Sequence, residues 1–177
     1  MATLPSVFQD LALAGAPKVM VEALKLFGTR EIVGPQHSPQ IMNWAKKLGM
    51  SSIYTMDETP WCGLFAAVVV SNAGYAPVTG ALRALNWATW GVKADQASRG
   101  DVLVFKRPGG GHVGFYAGED AGTYYVLGGN QGNSVCITRI AKTRCVAVRR
   151  SPFKVGQPAE VMPIWRTTGG EVSVNEA

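Results

Sequence analysis

Histidine and cysteine are scarce in this 177-residue chain, which contains two of the first and three of the second. A cysteine count that is odd and low excludes a disulfide framework. Two histidines, with no HExxH motif and no paired-cysteine spacing, supply too few ligands for zinc, so the sequence predicts no metal and no other cofactor. Cys136 and Cys145 could face each other across a hairpin and form a bridge, although two buried thiols are the better interpretation.

Charged residues are also few, at 16% of the chain against 47% hydrophobic residues. This composition excludes extensive disorder and predicts one compact domain with a sizeable core. The net charge of +5 favours anionic surfaces. The basic residues are nevertheless spread along the chain, and the tightest cluster is Arg149-Arg150. Nucleic acid is therefore not expected as a partner, and we expect a monomer.

No secretory signal is predicted, because Asp10 interrupts the single apolar run near the N-terminus and no basic segment precedes it. The span 59–82 carries no charge, but Pro77 and Gly80 lie inside it. This pattern indicates a buried helix followed by a loop rather than a membrane span. We therefore expect the protein to be made in a host cytoplasm without stable membrane insertion.

Start and stop signals predict helices in the first half of the chain. The third of these begins with Thr59 as N-cap and Pro60 as its first residue. It is apolar on all sides, so we expect it to be deeply buried despite its Val68-Val69-Val70 run. The four predicted helices cover 17–27, 39–48, 60–72 and 81–90.

Short β-rich runs separated by turns follow Gly100 and predict about five strands. The gaps between them are too short for parallel crossovers, so the sheet should be antiparallel. Helices followed by strands define an α+β domain, which we place at 1–150 with the first 15 or so residues as a leader. Residues 151–177 are expected to form an extension with a frayed tail. The predicted strands are 101–107, 112–117, 123–127, 135–140 and 145–149.

Cys62 falls at the third position of the predicted buried helix, within the stretch DETPWCGLF. Free backbone N–H groups and the positive end of the helix dipole there should favour thiolate, which is the nucleophilic form. A cysteine that only packs the core would occupy the same position. The spacing therefore permits chemistry without establishing it.

Two further segments could complete a catalytic group with Cys62. His112 follows three glycines and opens a strand, which could place its imidazole beside open space or simply cap the strand. In Gly128-Gly129-Asn130-Gln131-Gly132-Asn133 an amide could bond the imidazole and fix its tautomer, although the same run is typical of an ordinary turn. His37 precedes a helix start and is expected to have no role.

The segments DETPWC, GDVLVF, GHVGFY and VLGGNQGNSV occur here in the order found in one group of CHAP domains. CHAP domains are papain-like cysteine, histidine-dependent amidohydrolases and peptidases, and the resemblance runs from about residue 19 to residue 149. It implies a papain-like fold with N-terminal helices packed on a C-terminal antiparallel sheet. It assigns the nucleophile to Cys62, the base to His112 and the orienting residue to Asn130. Two neighbours, Trp61 and Gln131, are predicted to bind substrate.

The resemblance further implies a hydrolase of bacterial peptidoglycan that acts at the cell wall, as phage endolysins and related lysis or tail enzymes do. It would cleave an amide bond in the peptide part of the wall. Relatives that bind calcium carry an Asp-rich segment before the cysteine, whereas this chain has only Asp57-Glu58. A catalytically silent wall-binding or phage structural module is the alternative from another class, and it would lose nothing on Cys62→Ser.

Overall fold

A computed structural model describes residues 3–153, 156–167, 169–174 and 176. It contains three α-helices, three short 3₁₀ helices and one seven-stranded sheet among these residues. The helices occupy the first half of the chain and the main strands the second half, so the predicted α+β class is confirmed. The sheet has two strands more than predicted, and both additions are only two residues long.

The α-helices lie where the start and stop signals placed them, namely α1 at Lys18–Lys25, α2 at Pro39–Lys47 and α3 at Cys62–Asn72. Helix α3 begins two residues later than predicted, because Trp61 rather than Thr59 is its N-cap. The predicted fourth helix is a 3₁₀ helix, Ala84–Thr89. Further 3₁₀ helices span Ser6–Ala12 and Lys142–Arg144.

All five predicted strands are present, and the sheet order is β1-β6-β2-β3-β4-β5-β7. Neighbours are antiparallel except β5 and β7, which run parallel. The antiparallel prediction is therefore confirmed for the five main strands. The strands are β1 at Val92–Lys93, β2 at Val102–Arg107, β3 at Gly110–Glu119, β4 at Thr123–Gly128, β5 at Cys136–Ala141, β6 at Cys145–Arg150 and β7 at Val172–Ser173.

The sheet is strongly curled. Strands β5 and β6 are four positions apart in the sheet, a lateral distance of roughly 19 Å if the sheet were flat. Only Lys142–Arg144 connects them in sequence, and a link of that length reaches roughly 15 Å at most. The sheet must therefore coil until the start of β6 approaches the end of β5.

Two hydrophobic clusters occupy the two faces of this sheet. Helix α3 packs on one face against Val113, Phe115 and Leu127, and its residues from Cys62 to Val70 are all buried. The all-round apolar pattern thus gives the predicted buried helix, and its valine run is helical. The opposite face carries a smaller cluster built from Leu103, Phe105, Tyr116, Val126 and Ile140.

Both ends of the chain are packed more closely than the sequence indicates. The leader segment buries Phe8 and Leu11, and the Phe8 ring lies 5.8 Å from that of Tyr125. The tail was expected to be frayed, but its described part adds strand β7 to the sheet. Glu176 lies beyond β7 and is 2% exposed. The frayed-tail prediction is therefore wrong for these residues, because the buried Glu176 carboxylate is paired with the half-buried Arg144 guanidinium.

The three cysteines are free thiols. Cys136 lies on β5 and Cys145 on β6, and β2, β3 and β4 separate these strands in the sheet. The hairpin that would have let them face each other does not form, so the structure gives two free thiols rather than a bridge. Both thiols are half-buried rather than buried as expected. No helix among the described residues has the length and apolar character needed to cross a membrane.

Candidate active site

Cys62 is the first residue of helix α3 and is 5% exposed. The first intrahelical hydrogen bond runs from Phe65 N to Trp61 O, at 2.9 Å. Gly63 permits this helix start to approach the loop before the second 3₁₀ helix. A Cβ atom on Gly63 would lie 2.7 Å from Leu82 O and would also clash with Ala81 O. Backbone packed against backbone thus fixes the position of the cysteine.

The surroundings of the Cys62 sulfur change the pKa of its thiol in two opposite directions. Hydrogen bonds from the backbone N–H groups of Val113 and Gly63 lower the pKa of the Cys62 thiol, as does the charge of Arg107. Burial has the largest effect, and it raises the pKa of the thiol above its ordinary value. The prediction that Cys62 favours thiolate is therefore wrong for this structure, because desolvation outweighs the helix terminus.

His112 is buried near the start of β3, and its Nε2 lies 3.0 Å from Oε1 of Gln131. The Gln131 amide nitrogen donates to Val126 O at 3.1 Å and to Cys136 O at 2.6 Å. Since the amide nitrogen is fully used as a donor, Oε1 is the atom that accepts from His112. Nε2 therefore carries the ring proton, and Nδ1 is left with the lone pair that a general base needs.

Burial also determines the charge of His112. It lowers the pKa of the imidazole to about 4, although the Glu176 carboxylate and the Gln131 hydrogen bond act in the opposite direction. Arg107 and Arg144 add positive charge nearby and lower the pKa further. The resting pair at neutral pH is therefore a thiol and a neutral imidazole rather than a thiolate and an imidazolium.

Asn130, predicted as the orienting residue, does not occupy that position. Its backbone lies in the left-handed region at φ 57°, which asparagine tolerates better than most residues. This conformation turns the chain so that Gln131, the next residue, points back to His112. Asn130 therefore lies in a turn, and Gln131 is the residue that contacts the imidazole.

The two glycines before Asn130 leave room for side chains on opposite faces of the sheet. A Cβ atom on Gly128 would lie 2.5 Å from Gln131 Oε1 and 3.0 Å from His112 Nε2. A Cβ atom on Gly129 would lie 2.7 Å from the Trp61 ring. One sequence signal could have identified Gln131. It is a Gly-Gly pair followed by a residue that tolerates left-handed geometry and then by a side-chain amide.

The two residues predicted to bind substrate are both inside the protein. Trp61 is fully buried, packs against Trp44 at 6.0 Å between ring centroids, and donates its indole N–H to Glu31 at 2.9 Å. Gln131 is 2% exposed and holds His112. Neither side chain is positioned to contact a substrate. The Trp61 ring fills the core beside the helix start, and the Gln131 amide is used by His112.

Cys62 and His112 are brought to the same part of the sheet, since the Cys62 sulfur accepts from Val113 N–H, one residue beyond the histidine. Among the described residues, no hydrogen bond joins this sulfur to the imidazole. Catalytic hydrogen bonds often tighten only when substrate binds. His112 pairs across the sheet with Phe105, which belongs to the cluster on the face opposite α3. The structure therefore brings the Cys62 sulfur to the backbone beside His112 and not into contact with the imidazole ring.

Sequence reasoning missed Arg144 and Glu176, whose charges act on His112. They come from the loop between β5 and β6 and from the tail, and neither segment contains a motif. A long-range ion pair of this kind leaves no local pattern in the sequence.

His37 lies apart from this group and contacts Asp57 at 3.0 Å. The Asp57 carboxylate is fully buried and also accepts from the backbone N–H groups of Ile32 and Ser38, at 3.2 and 2.7 Å. These bonds lower the pKa of Asp57 and connect two loops. Within the described ranges, no group of three or more metal-ligating side chains occurs.

A cavity of about 590 Å³ lies between the leader and the tail, lined among others by Phe8, Tyr125 and Val172. None of the candidate catalytic residues lines it. Comparisons with protein-family models, curated proteins and solved structures find no match to this chain.

Proposed function

We propose that this protein is a papain-like, CHAP-type peptidoglycan hydrolase, of the kind found in phage endolysins and related lysis or tail enzymes. The observation that carries the proposal is the hydrogen bond between the Gln131 amide and the buried ring of His112, one residue before the backbone N–H that bonds the Cys62 sulfur. Helix α3 supplies a thiol, β3 supplies an imidazole with a free Nδ1, and the turn after β4 supplies the amide that holds the imidazole. This is the division of roles in a cysteine–histidine–amide triad.

In the proposed reaction, the Cys62 sulfur attacks the carbonyl carbon of an amide bond in the peptide part of the wall. The thiol proton passes to His112 Nδ1, because both groups are neutral in the resting protein. The backbone N–H of Cys62 helps to stabilise the oxyanion. His112 then protonates the leaving amine, and a water activated by the same ring hydrolyses the thioester.

A buried neutral pair suits this sequence of steps. Proton transfer within the pair creates two opposite charges in a site from which water is largely excluded, and these charges attract each other strongly there. Gln131 accepts from Nε2–H throughout, which stabilises the imidazolium once it forms. The Cys62 thiolate would accordingly form during the reaction and would not be present in the resting protein.

One observation favours the alternative of a catalytically silent wall-binding or structural module. The raised pKa of the Cys62 thiol and the absence, among the described residues, of a sulfur–imidazole hydrogen bond describe a thiol that is not activated. A module of that kind would retain the cysteine as core packing, and its binding would not depend on the thiol.

The deciding experiment incubates purified peptidoglycan with the full chain and identifies the released fragments by mass spectrometry. New amino and carboxyl termini at one type of amide bond are expected with the wild type and not with Cys62→Ala. The matched control is Cys145→Ala, which removes a thiol from β6 and should cleave as the wild type does. Equal cleavage by Cys62→Ala would contradict the proposal, and wall binding without any cleavage would support the silent module.

A further inference from the structure

The most specific polar contact near His112 is the ion pair between Arg144 and the tail. Arg144 Nη1 and Nη2 each lie 2.7 Å from one carboxylate oxygen of Glu176. The Glu176 side chain is fully buried, and that of Arg144 is 19% exposed. Two parallel N–H···O bonds to one carboxylate are the geometry by which a guanidinium recognises carboxylates.

The tail does not by itself hold the guanidinium in place. Arg144 Nε donates to Lys106 O at 3.1 Å, which ties the side chain to strand β2. Nη1 also donates to Ser173 O, at 3.0 Å. If the tail moved away, the bond to Lys106 would remain and the two outer nitrogens would keep facing the space that the carboxylate had filled. A carboxylate site anchored in this way is partly preorganised.

This carboxylate site lies beside the candidate base. Lys106, which anchors Arg144, pairs across the sheet with Gly111, and Phe105 pairs with His112 itself. The charges of Arg144 and Glu176 also act on the His112 ring. A carboxylate bound by Arg144 would therefore lie on the side of the sheet edge where the candidate base His112 is held.

We propose that Arg144 is a substrate-binding residue that recognises a free carboxylate, and that Glu176 of the same chain occupies its place until substrate arrives. The class of ligand, an acidic peptide, rests on the proposed function, because the peptide part of the wall presents free carboxylates. Exchange of one carboxylate for another leaves Arg144 paired, so the exchange avoids the large cost of an isolated buried charge. The tail then acts as an internal competitor of the substrate.

The attachment of the tail is suited to exchange. Strand β7 pairs with β5 through only two residue pairs, Arg139 with Val172 and Ile140 with Ser173. Val172 is 42% exposed and Val174 is 81% exposed. A segment with so few buried apolar contacts opens at low free energy compared with the core.

The test measures binding of a dipeptide, alanyl-γ-glutamate with a free α-carboxylate, and of its α-amide, by calorimetry. It uses the full chain carrying Cys62→Ala, so that turnover does not interfere. We expect the acid to bind at least about tenfold more tightly than the amide. Adding Glu176→Gln should tighten binding of the acid roughly tenfold, because the competitor is weakened. Adding Arg144→Met should remove the preference for the acid.

The control is Arg149→Met, which removes a guanidinium of β6 that bonds the backbone carbonyls of Trp90 and Gly91; its affinities should not change. Equal affinity for acid and amide would overturn the carboxylate site. Equal affinity for the acid with and without Glu176→Gln would overturn the competition. If binding follows the expected pattern while no wall fragment is released by the wild type, the carboxylate site stands and the hydrolase proposal fails.

Discussion

The start of helix α3 and the C-terminal tail both approach the beginning of β3, but different forces hold them there. Cys62 is placed by apolar packing and by the close approach of Gly63 to Leu82 O. Glu176 is placed by one bidentate ion pair and by a two-residue strand. The first arrangement consists of close apolar and backbone packing and is rigid. The second depends on residues 32 positions apart and can open without unfolding the core.

This difference bears on the role that is proposed for each region. A nucleophile needs a rigid position, since small displacements of the reacting atoms lower the reaction rate strongly. A segment that regulates access benefits from a contact that is specific and exchangeable. We therefore expect substitutions at the helix start to affect stability, and substitutions in the tail to affect binding more than folding.

The sharpest comparison uses the same substitution in both regions. Gly63→Ala should destabilise the protein by about 3 kcal/mol, because its Cβ atom would meet backbone rather than a flexible side chain. Gly169→Ala in the tail should have almost no effect, since nothing lies within 4 Å of the added atom. Denaturant unfolding of both variants measures the difference. A stable Gly63→Ala variant would show that the helix start can shift.

Two neighbouring residues in the turn after β4 are expected to respond differently to substitution. Gln131→Ala leaves the His112 Nε2–H without its acceptor and the tautomer unfixed, so turnover should fall about a hundredfold. Asn130→Gly should retain activity, because glycine adopts the same left-handed backbone at φ 57°. Rates of wall clearance by the two variants measure this contrast. A larger loss in Asn130→Gly than in Gln131→Ala would return the orienting role to Asn130.

Deletion of residues 169–177 tests how firmly the tail is attached. We expect a loss of about 2 kcal/mol in the free energy of unfolding, from the charge-assisted bonds between Arg144 and Glu176. The sequence alone predicts no change. Thermal unfolding of the full and shortened chains distinguishes the two. An unchanged Tm would mean that the tail contributes nothing to folding.

The pH dependence of stability reports on His112, which lies between the two regions. Its pKa is about 4 in the folded chain and about 6.5 when unfolded. Between these values only the unfolded state gains a proton, so stability is complete above pH 6.5 and declines as the pH falls towards 4. From pH 7 to pH 5 the wild type should lose about 2 kcal/mol more than His112→Gln. Parallel curves for the two proteins would contradict a buried neutral histidine.

The parts of this molecule that could be predicted from sequence are those with local causes. Prolines and glycines mark the helix ends, and alternating β-rich runs mark five strands. The position of Cys62 follows from these signals to within two residues. Its pKa does not follow from them, because the extent of burial depends on how α3 packs against β3.

The parts that could not be predicted depend on contacts between distant residues. The choice of Gln131 over Asn130 rests on one left-handed residue and on two acceptor carbonyls, those of Val126 and Cys136. The tail is held by its ion pair with Arg144. This arginine lies in a three-residue link between β5 and β6, and the position of the link depends on the curl of the whole sheet. Neither contact has a signature that a sequence window contains.

The pairing of β7 with β5 has a consequence for solubility. Without β7, strand β5 would become the edge of the sheet, with backbone donors and acceptors open to a strand of another molecule. A chain cut before Gly169 also loses two acidic residues, Glu171 and Glu176, so its net charge rises from +5 to +7. Greater mutual repulsion would ordinarily keep such a chain dispersed. We expect it to aggregate more readily than the full chain all the same, because a newly bare edge attracts neighbours at contact distance, where repulsion between screened charges is weak.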